Sequence, residues 1–348
     1  MTKKHAAVLV AGSWGTALAQ VLADNENEVK LWTRNEAQKN EINNHHTNEK
    51  YLPNVRLSSG ITATCDIAEA VSGAGAVLLV PPSSAMREVA TAIRPHLAKG
   101  TLLLHATKGL ETGSLKRMSE VIAESLPHID SSEIVVLSGP SHAEEVIMRS
   151  PTAVVVAAKN AEAAEKAQDL FINCYFRVYT NPDVLGVEMS GALKNIIALG
   201  AGMSDGLGFG DNAKAALVTR GLAEIARLGA EIGANPLTFA GLAGIGDLVV
   251  TSTSKHSRNW RAGYMLAQGK SLQQVLAEMG MVVEGIRTTE AVHQLAAGKN
   301  VSMPITAALY QVLFAGKDPR SAVEELMGRG KTREIEEIAR KAKLNWLL

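Results

Sequence analysis

A chain of 348 residues, 46% hydrophobic and 20% charged, has a globular balance and enough length for two cores. Lys plus Arg and Asp plus Glu number 35 each, so the overall charge gives no case for nucleic acid or an anionic membrane as partner, and any anion site must be local. Cys65 and Cys174 lie far apart in no metal-ligand spacing, which speaks against a disulfide framework or a zinc site and predicts free thiols.

Aromatic residues are only 4% while Gly and Ala are many, a composition that favours close helix packing. Lys3 and Lys4 run into a short apolar segment unlike a cleavable signal, and no uninterrupted apolar run approaches ~18 residues. A soluble, cytoplasmic protein without membrane insertion is expected.

The first predicted element is a buried strand, His5 to Val10. It leads through Ala11-Gly12-Ser13-Trp14-Gly15-Thr16 into a helical pattern from Ala17 to Ala23. Strand, glycine turn and helix make the phosphate-binding unit of a dinucleotide fold, because a helix N-terminus aims unpaired N–H groups at a pyrophosphate. The fingerprint G-x-G-x-x-G has Val10 in its first position here, leaving Gly12 and Gly15. An ordinary strand-to-helix turn would read the same way. The next strand, Glu28 to Trp32, follows at βαβ spacing and ends in Thr33-Arg34. An acidic residue at this position would hold the ribose hydroxyls of NAD, whereas Arg34 suits the 2′-phosphate of NADP. NADP is therefore expected as the preferred cofactor, with NAD as the second.

Strands at Ala76 to Val80, Thr101 to His105, Ile134 to Leu137 and Thr152 to Ala157 alternate with helices such as Ser84 to His96 and Ser114 to Ser125. This alternation predicts a Rossmann-like, largely parallel, doubly wound α/β sheet, whose ligands sit beyond the carboxyl ends of the strands. The residues there are Pro81-Pro82-Ser83, Thr107-Lys108-Gly109 and Ser138-Gly139-Pro140-Ser141-His142. Lys108 is placed to bind a phosphate, and Gly139 with Ser141 to face the same crevice; solvated loop residues and an ordinary turn are the bland alternatives.

From about Asn181 the strand pattern stops and Ala- and Gly-rich helical segments follow. The boundary falls at Thr180-Asn181-Pro182, giving residues 1–180 as a dinucleotide-binding domain and 181–348 as an all-α substrate and catalytic domain. Within the apolar stretch from Gly186 to Leu222 stands Lys194, with no carboxylate at i±3 or i±4. Either it snorkels to water or it is a partly buried ammonium available for proton transfer with a distant partner. Further on, Gly244-Ile245-Gly246-Asp247 sets a carboxylate after two glycines. The stretch Ser252 to Asn259 crowds hydroxyls, Arg258 and an amide together, which suits a small phosphorylated ligand or, more plainly, a helix N-cap.

Through AGSWGTALA, ATKGLE, the run GALKNIIALGAG around Lys194, GLAGIGDLVVT, the SRN segment and VVEGIRTTEAV, nearly the whole chain resembles the bacterial-type NAD(P)-dependent glycerol-3-phosphate dehydrogenases. The resemblance implies reversible reduction of dihydroxyacetone phosphate to sn-glycerol 3-phosphate for phospholipid synthesis, in a homodimer that requires no metal. By position, it implies Lys194 as the acid/base, supported by Asp247. Lys108, Gly139, Ser141, Ser257, Arg258 and Asn259 would meet the substrate with them. Ser13, Trp14, Arg34, Lys108, Ala143, Arg258, Val282 and Glu284 would meet the cofactor. The chain departs from the family pattern at Val10, Glu26-Asn27, Pro81 and His142. Val10 in particular is expected to endure unfavourable dihedrals or to push the loop from the pyrophosphate. Two alternatives remain at this level: a β-hydroxyacid dehydrogenase of the same two-domain plan, and a non-catalytic nucleotide-binding homologue.

Overall fold

The structure, a computed structural model, describes residues 5–331. Lys3 and Lys4 lie outside the described residues. Eight strands, β1 (Ala6–Leu9), β2 (Val29–Trp32), β3 (Ile61–Thr64), β4 (Ala76–Leu79), β5 (Leu102–His105), β6 (Val135–Ser138), β7 (Thr152–Ala157) and β8 (Phe176–Asn181), form one sheet. Their order is β3-β2-β1-β4-β5-β6-β7-β8, with β6 and β7 antiparallel and the other pairs parallel. The helices of this unit are α1 (Ser13–Asp24), α2 (Glu36–His45), α3 (Ile67–Val71), α4 (Met86–Ile93), α5 (Met118–Ser125), α6 (Ala143–Ile147) and α7 (Ala161–Phe171).

The central strands are apolar at consecutive positions because both of their faces are covered. In β1, Ala6 and Val8 pack into one core with α1, α6 and α7, while Ala7 and Leu9 point to the opposite face and pack with α3, α4 and α5. In β4, Ala76 and Leu78 divide from Val77 and Leu79 in the same way. This is the doubly wound arrangement expected from the alternation of elements. The order reverses between β1 and β4, so the carboxyl end of β1 is the topological switch point.

Two edges of the expected picture change. The strands β3 and β8, at the two margins of the sheet, are additional to those expected; their exposed Thr62, Arg177 and Tyr179 break the apolar run that marks a central strand. The helix expected from Ser114 begins at Met118 instead. Gly113 and Leu115 have positive φ, and Glu111 N–H donates to the Lys116 carbonyl, so the chain there makes a tight turn rather than a helical one.

The described chain divides into two compact units, one ending at Val184 and the other comprising Thr112–Leu115 and the described residues from Leu185 onward. The second unit contains α8 (Val184–Gly206), α9 (Asp211–Glu231), α10 (Asp247–Thr253), α11 (Arg258–Ala267), α12 (Leu272–Met279), α13 (Glu284–Gly298), α14 (Pro304–Phe314) and α15 (Pro319–Met327). By length and composition α8 could cross a bilayer, but 94% of its most apolar window is buried, and it is the core helix of this unit. Small residues let α11 approach it backbone to backbone. A Cβ on Gly202 would overlap the Trp260 carbonyl, and one on Gly263 would overlap the Leu199 carbonyl.

Candidate active site

In the first unit, the residues of interest cluster at the carboxyl ends of the central strands. β1 passes through Val10-Ala11-Gly12 into α1, whose N-cap Gly12 supplies no side-chain acceptor, and no acidic residue stands in the first turn. The leading N–H groups therefore present the positive end of a twelve-residue helix at the switch point. Ser13 Oγ donates to the Tyr51 carbonyl at 2.9 Å, which fixes the turn. Trp14 Nε1 is buried without a hydrogen-bond partner, a donor left over by the protein's own contacts. An uncapped helix start beside an orphaned donor fits an anionic dinucleotide. Arg34, just past β2, is 57% exposed and gives Nη2 to Glu88 Oε1 at 2.8 Å while lying over the Trp32 ring.

The three strand-end loops are tied to one another. Thr107 Oγ1 donates to the Pro81 carbonyl at 2.6 Å, joining the loop after β5 to that after β4. Lys108 Nζ donates to the Gly139 carbonyl at 3.1 Å, and Ser141 Oγ donates to the same oxygen at 2.9 Å. Lys108, Gly139 and Ser141 thus meet at one point on the rim. Ala143 opens α6 and is buried in the core beneath that loop.

In the second unit Lys194 is 5% exposed and Asp247 1% exposed. Lys194 Nζ donates to Asp247 Oδ1 and, at 2.7 Å, to Thr251 Oγ1; the Thr251 hydroxyl lies 3.3 Å from the same carboxylate oxygen. Asp247 is delivered by a π-helical turn, Leu242–Gly246, which leads straight into α10, and Thr251 lies one turn further along that helix. Snorkelling is excluded: the ammonium is held inside by two oxygens from one helix face. A buried charge needs such a partner, because desolvating it alone costs several kcal/mol.

The neighbouring residue, Asn195, belongs to a second network. Asn259 Nδ2 donates to Asn195 Oδ1 at 2.8 Å, and Asn259 Oδ1 accepts from Gly285 N–H at 2.8 Å, so one amide braces α8, α11 and α13. Ser257 is the N-cap of α11 and accepts from Trp260 N–H at 3.2 Å, which is the capping alternative for this stretch realised. Arg258, the first residue of α11, reaches the Val282 carbonyl with Nη1 at 3.4 Å, and Glu284 opens α13 two residues later. Arg258, Val282 and Glu284 are thereby close in space as well as in expected role.

Thr251 and Asn195 belong to these networks without having been singled out in the sequence. Thr251 had a signal, since it follows Asp247 by four and shares its helix face. Asn195 had none beyond adjacency to Lys194. Val10 takes its place in the turn as follows. It comes after a cis Leu9–Val10 peptide bond, lies outside the positive-φ residues, and packs its side chain against the core on the Leu9 side.

A dinucleotide-type sheet followed by a helical unit built around a buried lysine defines a two-domain, nicotinamide-dependent dehydrogenase. The family models described as NAD-dependent glycerol-3-phosphate dehydrogenase N-terminus and C-terminus match residues 5–164 and 183–324, and the chain belongs to this family. The NAD(P)+ glycerol-3-phosphate dehydrogenase of Geobacillus kaustophilus is 60% identical over 336 residues, covering 96% of this chain and 97% of the relative. That of Bacillus subtilis is 58% identical over 335 residues, with coverage of 96% and 97%. The crystal structure of glycerol-3-phosphate dehydrogenase from Coxiella burnetii superposes with a TM-score of 0.89 at 41% identity, covering 94% of this chain and 99% of that one. The agreement of both family models with full-length relatives sets aside the β-hydroxyacid and non-catalytic alternatives.

Proposed function

We propose that Lys194 is the acid/base of an NAD(P)H-dependent reduction of dihydroxyacetone phosphate to sn-glycerol 3-phosphate, its ammonium delivering the proton that the carbonyl oxygen takes up. The observation that carries this reading is the seating of the buried Lys194 Nζ between Asp247 and Thr251. Two acceptors on one face hold the ammonium in a fixed direction, so little reorganisation is needed when charge develops on the substrate oxygen. Asp247 keeps the charge in place before transfer and stabilises its return.

Arg258, Asn259 and Ser257 at the start of α11 are proposed to hold the substrate's phosphate end. Arg258 offers a planar fork of donors, Ser257 keeps a hydroxyl proton that its capping contact leaves unused, and Asn259 is positioned by its bonds to Asn195 and Gly285. Lys108, Gly139 and Ser141 are proposed to complete substrate binding, with their shared contact at the Gly139 carbonyl as support. The nicotinamide cofactor supplies the hydride when bound. Ser13 and Trp14 at the open start of α1, Arg34, Lys108, Ala143, Arg258, Val282 and Glu284 would hold it, and Arg34 favours NADPH. The division of labour between residues 1–180 and 181–348, a cytoplasmic location, a homodimer and supply of glycerol 3-phosphate to phospholipid synthesis belong to the same reading.

Oxidation of NADPH on addition of dihydroxyacetone phosphate, followed at 340 nm as is usual for the reduced cofactor, tests the reaction (roughly 10²–10⁴-fold is the contribution expected of the acid/base). Wild type must turn over and Lys194→Ala must lose nearly all of it; a variant as active as wild type removes Lys194 from the chemistry.

A further inference from the structure

The helix that carries Lys194 also borders a cavity that the networks above do not use. Its volume is about 680 Å³, and it lies among the C-terminal half of α8, α9, α14 and α15. The walls are largely aliphatic, with Met203, Leu217, Leu309, Val323 and Leu326 prominent. A volume of this order is that of a small-molecule site rather than a packing fault, which seldom exceeds a few methyl groups.

The charged residues of the lining are unequal. Arg220, Arg227 and Arg329 contribute three guanidiniums, while Glu224 is the one acidic residue among the described lining residues. Glu224 is buried and committed to the start of α14, accepting from the backbone N–H of Ile305 at 2.6 Å and of Thr306 at 3.3 Å. Arg227 is half-buried and donates to the Ser302 carbonyl. Burial holds its pKa below the ordinary arginine value against the opposing charge of Glu224, and the positive charges of Arg220 and Arg329 push it down as well, so each of these two arginines lies within Coulomb range of Arg227. Phe209 is the one aromatic ring among the described lining residues, which therefore offer no pair of aromatic walls to sandwich a flat base. An aliphatic hollow with clustered guanidiniums matches a ligand with a saturated chain and a compact anionic head.

We propose that this cavity is a binding site for single-chain amphiphiles with a carboxylate or phosphate head, the chain lying against α8, α14 and α15 and the head against Arg220, Arg227 and Arg329. The site stands apart from the assigned reaction, and its failure would leave that assignment intact.

Titration calorimetry of the full-length protein with dodecyl phosphate, dodecanoate, dodecanol and inorganic phosphate, the amphiphiles kept below their micellar concentrations, tests the proposal. Saturable one-to-one binding of either anionic amphiphile, with dodecanol and inorganic phosphate much weaker, supports it, and the preferred head tells a phosphate source from a fatty acid. Arg220→Glu should weaken that binding by about tenfold or more, the cost of replacing a charge-assisted contact by repulsion. Val323→Trp, which fills the hollow, should weaken the anionic and the neutral ligand alike. Absence of saturable binding to wild type, equal affinity for dodecanol, or affinity unchanged in Arg220→Glu would overturn the proposal. So would a wild-type oligomer that binds no amphiphile and is dissociated by Val323→Trp, because the cavity would then be a contact between copies of this chain.

Discussion

Lys194 and Asp247, 53 residues apart in the chain, share a hydrogen bond in the interior, where each is more than nine-tenths buried. Neither charge is tolerable there alone. Removing one partner of a buried pair costs about 3–5 kcal/mol, mostly because the other is left uncompensated. The fold and the proposed chemistry therefore depend on the same two side chains, and a loss of activity in either single variant must be separated from a loss of structure.

The separation is available through a double substitution. Lys194→Ala should lower kcat by ~10²–10⁴-fold and also lower stability by about 3–5 kcal/mol, since Asp247 is stranded. Lys194→Met combined with Asp247→Leu removes both charges and should regain most of that stability in urea unfolding while turnover stays lost. A double variant that recovers turnover along with stability would show that Lys194 serves the fold alone.

The start of α11 calls for a different split. Arg258→Ala should raise the KM for dihydroxyacetone phosphate strongly and weaken inhibition by inorganic phosphate, with unfolding little changed, because this exposed side chain makes one long contact to the Val282 carbonyl. Asn259→Ala should behave otherwise. It leaves the Gly285 N–H and the Asn195 amide without their partner, so stability should fall by about 1–3 kcal/mol together with activity. An unchanged KM in Arg258→Ala would leave α11 with a capping role only.

How much of this was legible in the sequence depended on the range of each interaction. The central strands and the glycine turn could be read because their patterns are local, and Lys194 stood out as a charge within an apolar helix. Its partner could not be found by spacing, since helix α8 and the π-turn before α10 meet only in the folded chain. The edge strands β3 and β8 lacked the apolar run that marks a strand covered on both faces. Ser257 shows the converse: the same serine suits a phosphate and a helix cap, and local sequence did not rank the two.

Arg34 and Glu88 form an exposed ion pair, which binding of a 2′-phosphate by Arg34 would have to displace. Such pairs are worth about 0–1 kcal/mol, so Glu88→Gln should strengthen the preference for NADPH by up to about fivefold. Arg34→Asp should turn the preference toward NADH, and added salt should shrink the wild-type preference. The ratio of kcat/KM for the two cofactors measures all three. Equal ratios in wild type and Arg34→Asp would make the arginine a bystander.

Glu224 gives the second unit a pH dependence of stability. Burial pushes its carboxyl up to about 7, although the backbone N–H groups of Ile305 and Thr306, the Arg227 charge and the Thr306 hydroxyl pull it down. The folded protein then holds this proton more tightly than the unfolded chain does. The resulting stability is complete below the unfolded carboxyl pKa, declines as pH rises from ~4.5, and is lost above about 7, with a ceiling of about 3 kcal/mol. Urea unfolding at several pH values between these limits should show the decline in wild type relative to Glu224→Gln, which has no proton to lose. Parallel profiles for the two proteins would contradict it.

Val10 and Gly15 divide the demands of the turn between β1 and α1. Val10 departs from the dinucleotide fingerprint, yet it lies outside the positive-φ residues and packs beside Leu9. Gly15 retains the fingerprint, and a Cβ there would overlap the backbone carbonyl oxygen of Val10 itself. The close approach of helix to strand therefore rests on the absence of a side chain at 15, and a β-branched residue at 10 is accommodated because its side chain turns away from that contact. Val10→Gly should leave NADPH affinity within about twofold of wild type, since the valine side chain is committed to the core beside Leu9, and should lower the melting temperature through lost packing and a freer unfolded chain. Gly15→Ala should force α1 off the strand end and weaken NADPH binding by roughly 5- to 150-fold, the range expected for 1–3 kcal/mol of strain. Fluorescence titration of NADPH into both variants decides the matter. Tighter binding in Val10→Gly would support the view that valine strains this loop, and unaltered binding in Gly15→Ala would mean that the helix can retreat without disturbing its N-terminal N–H groups.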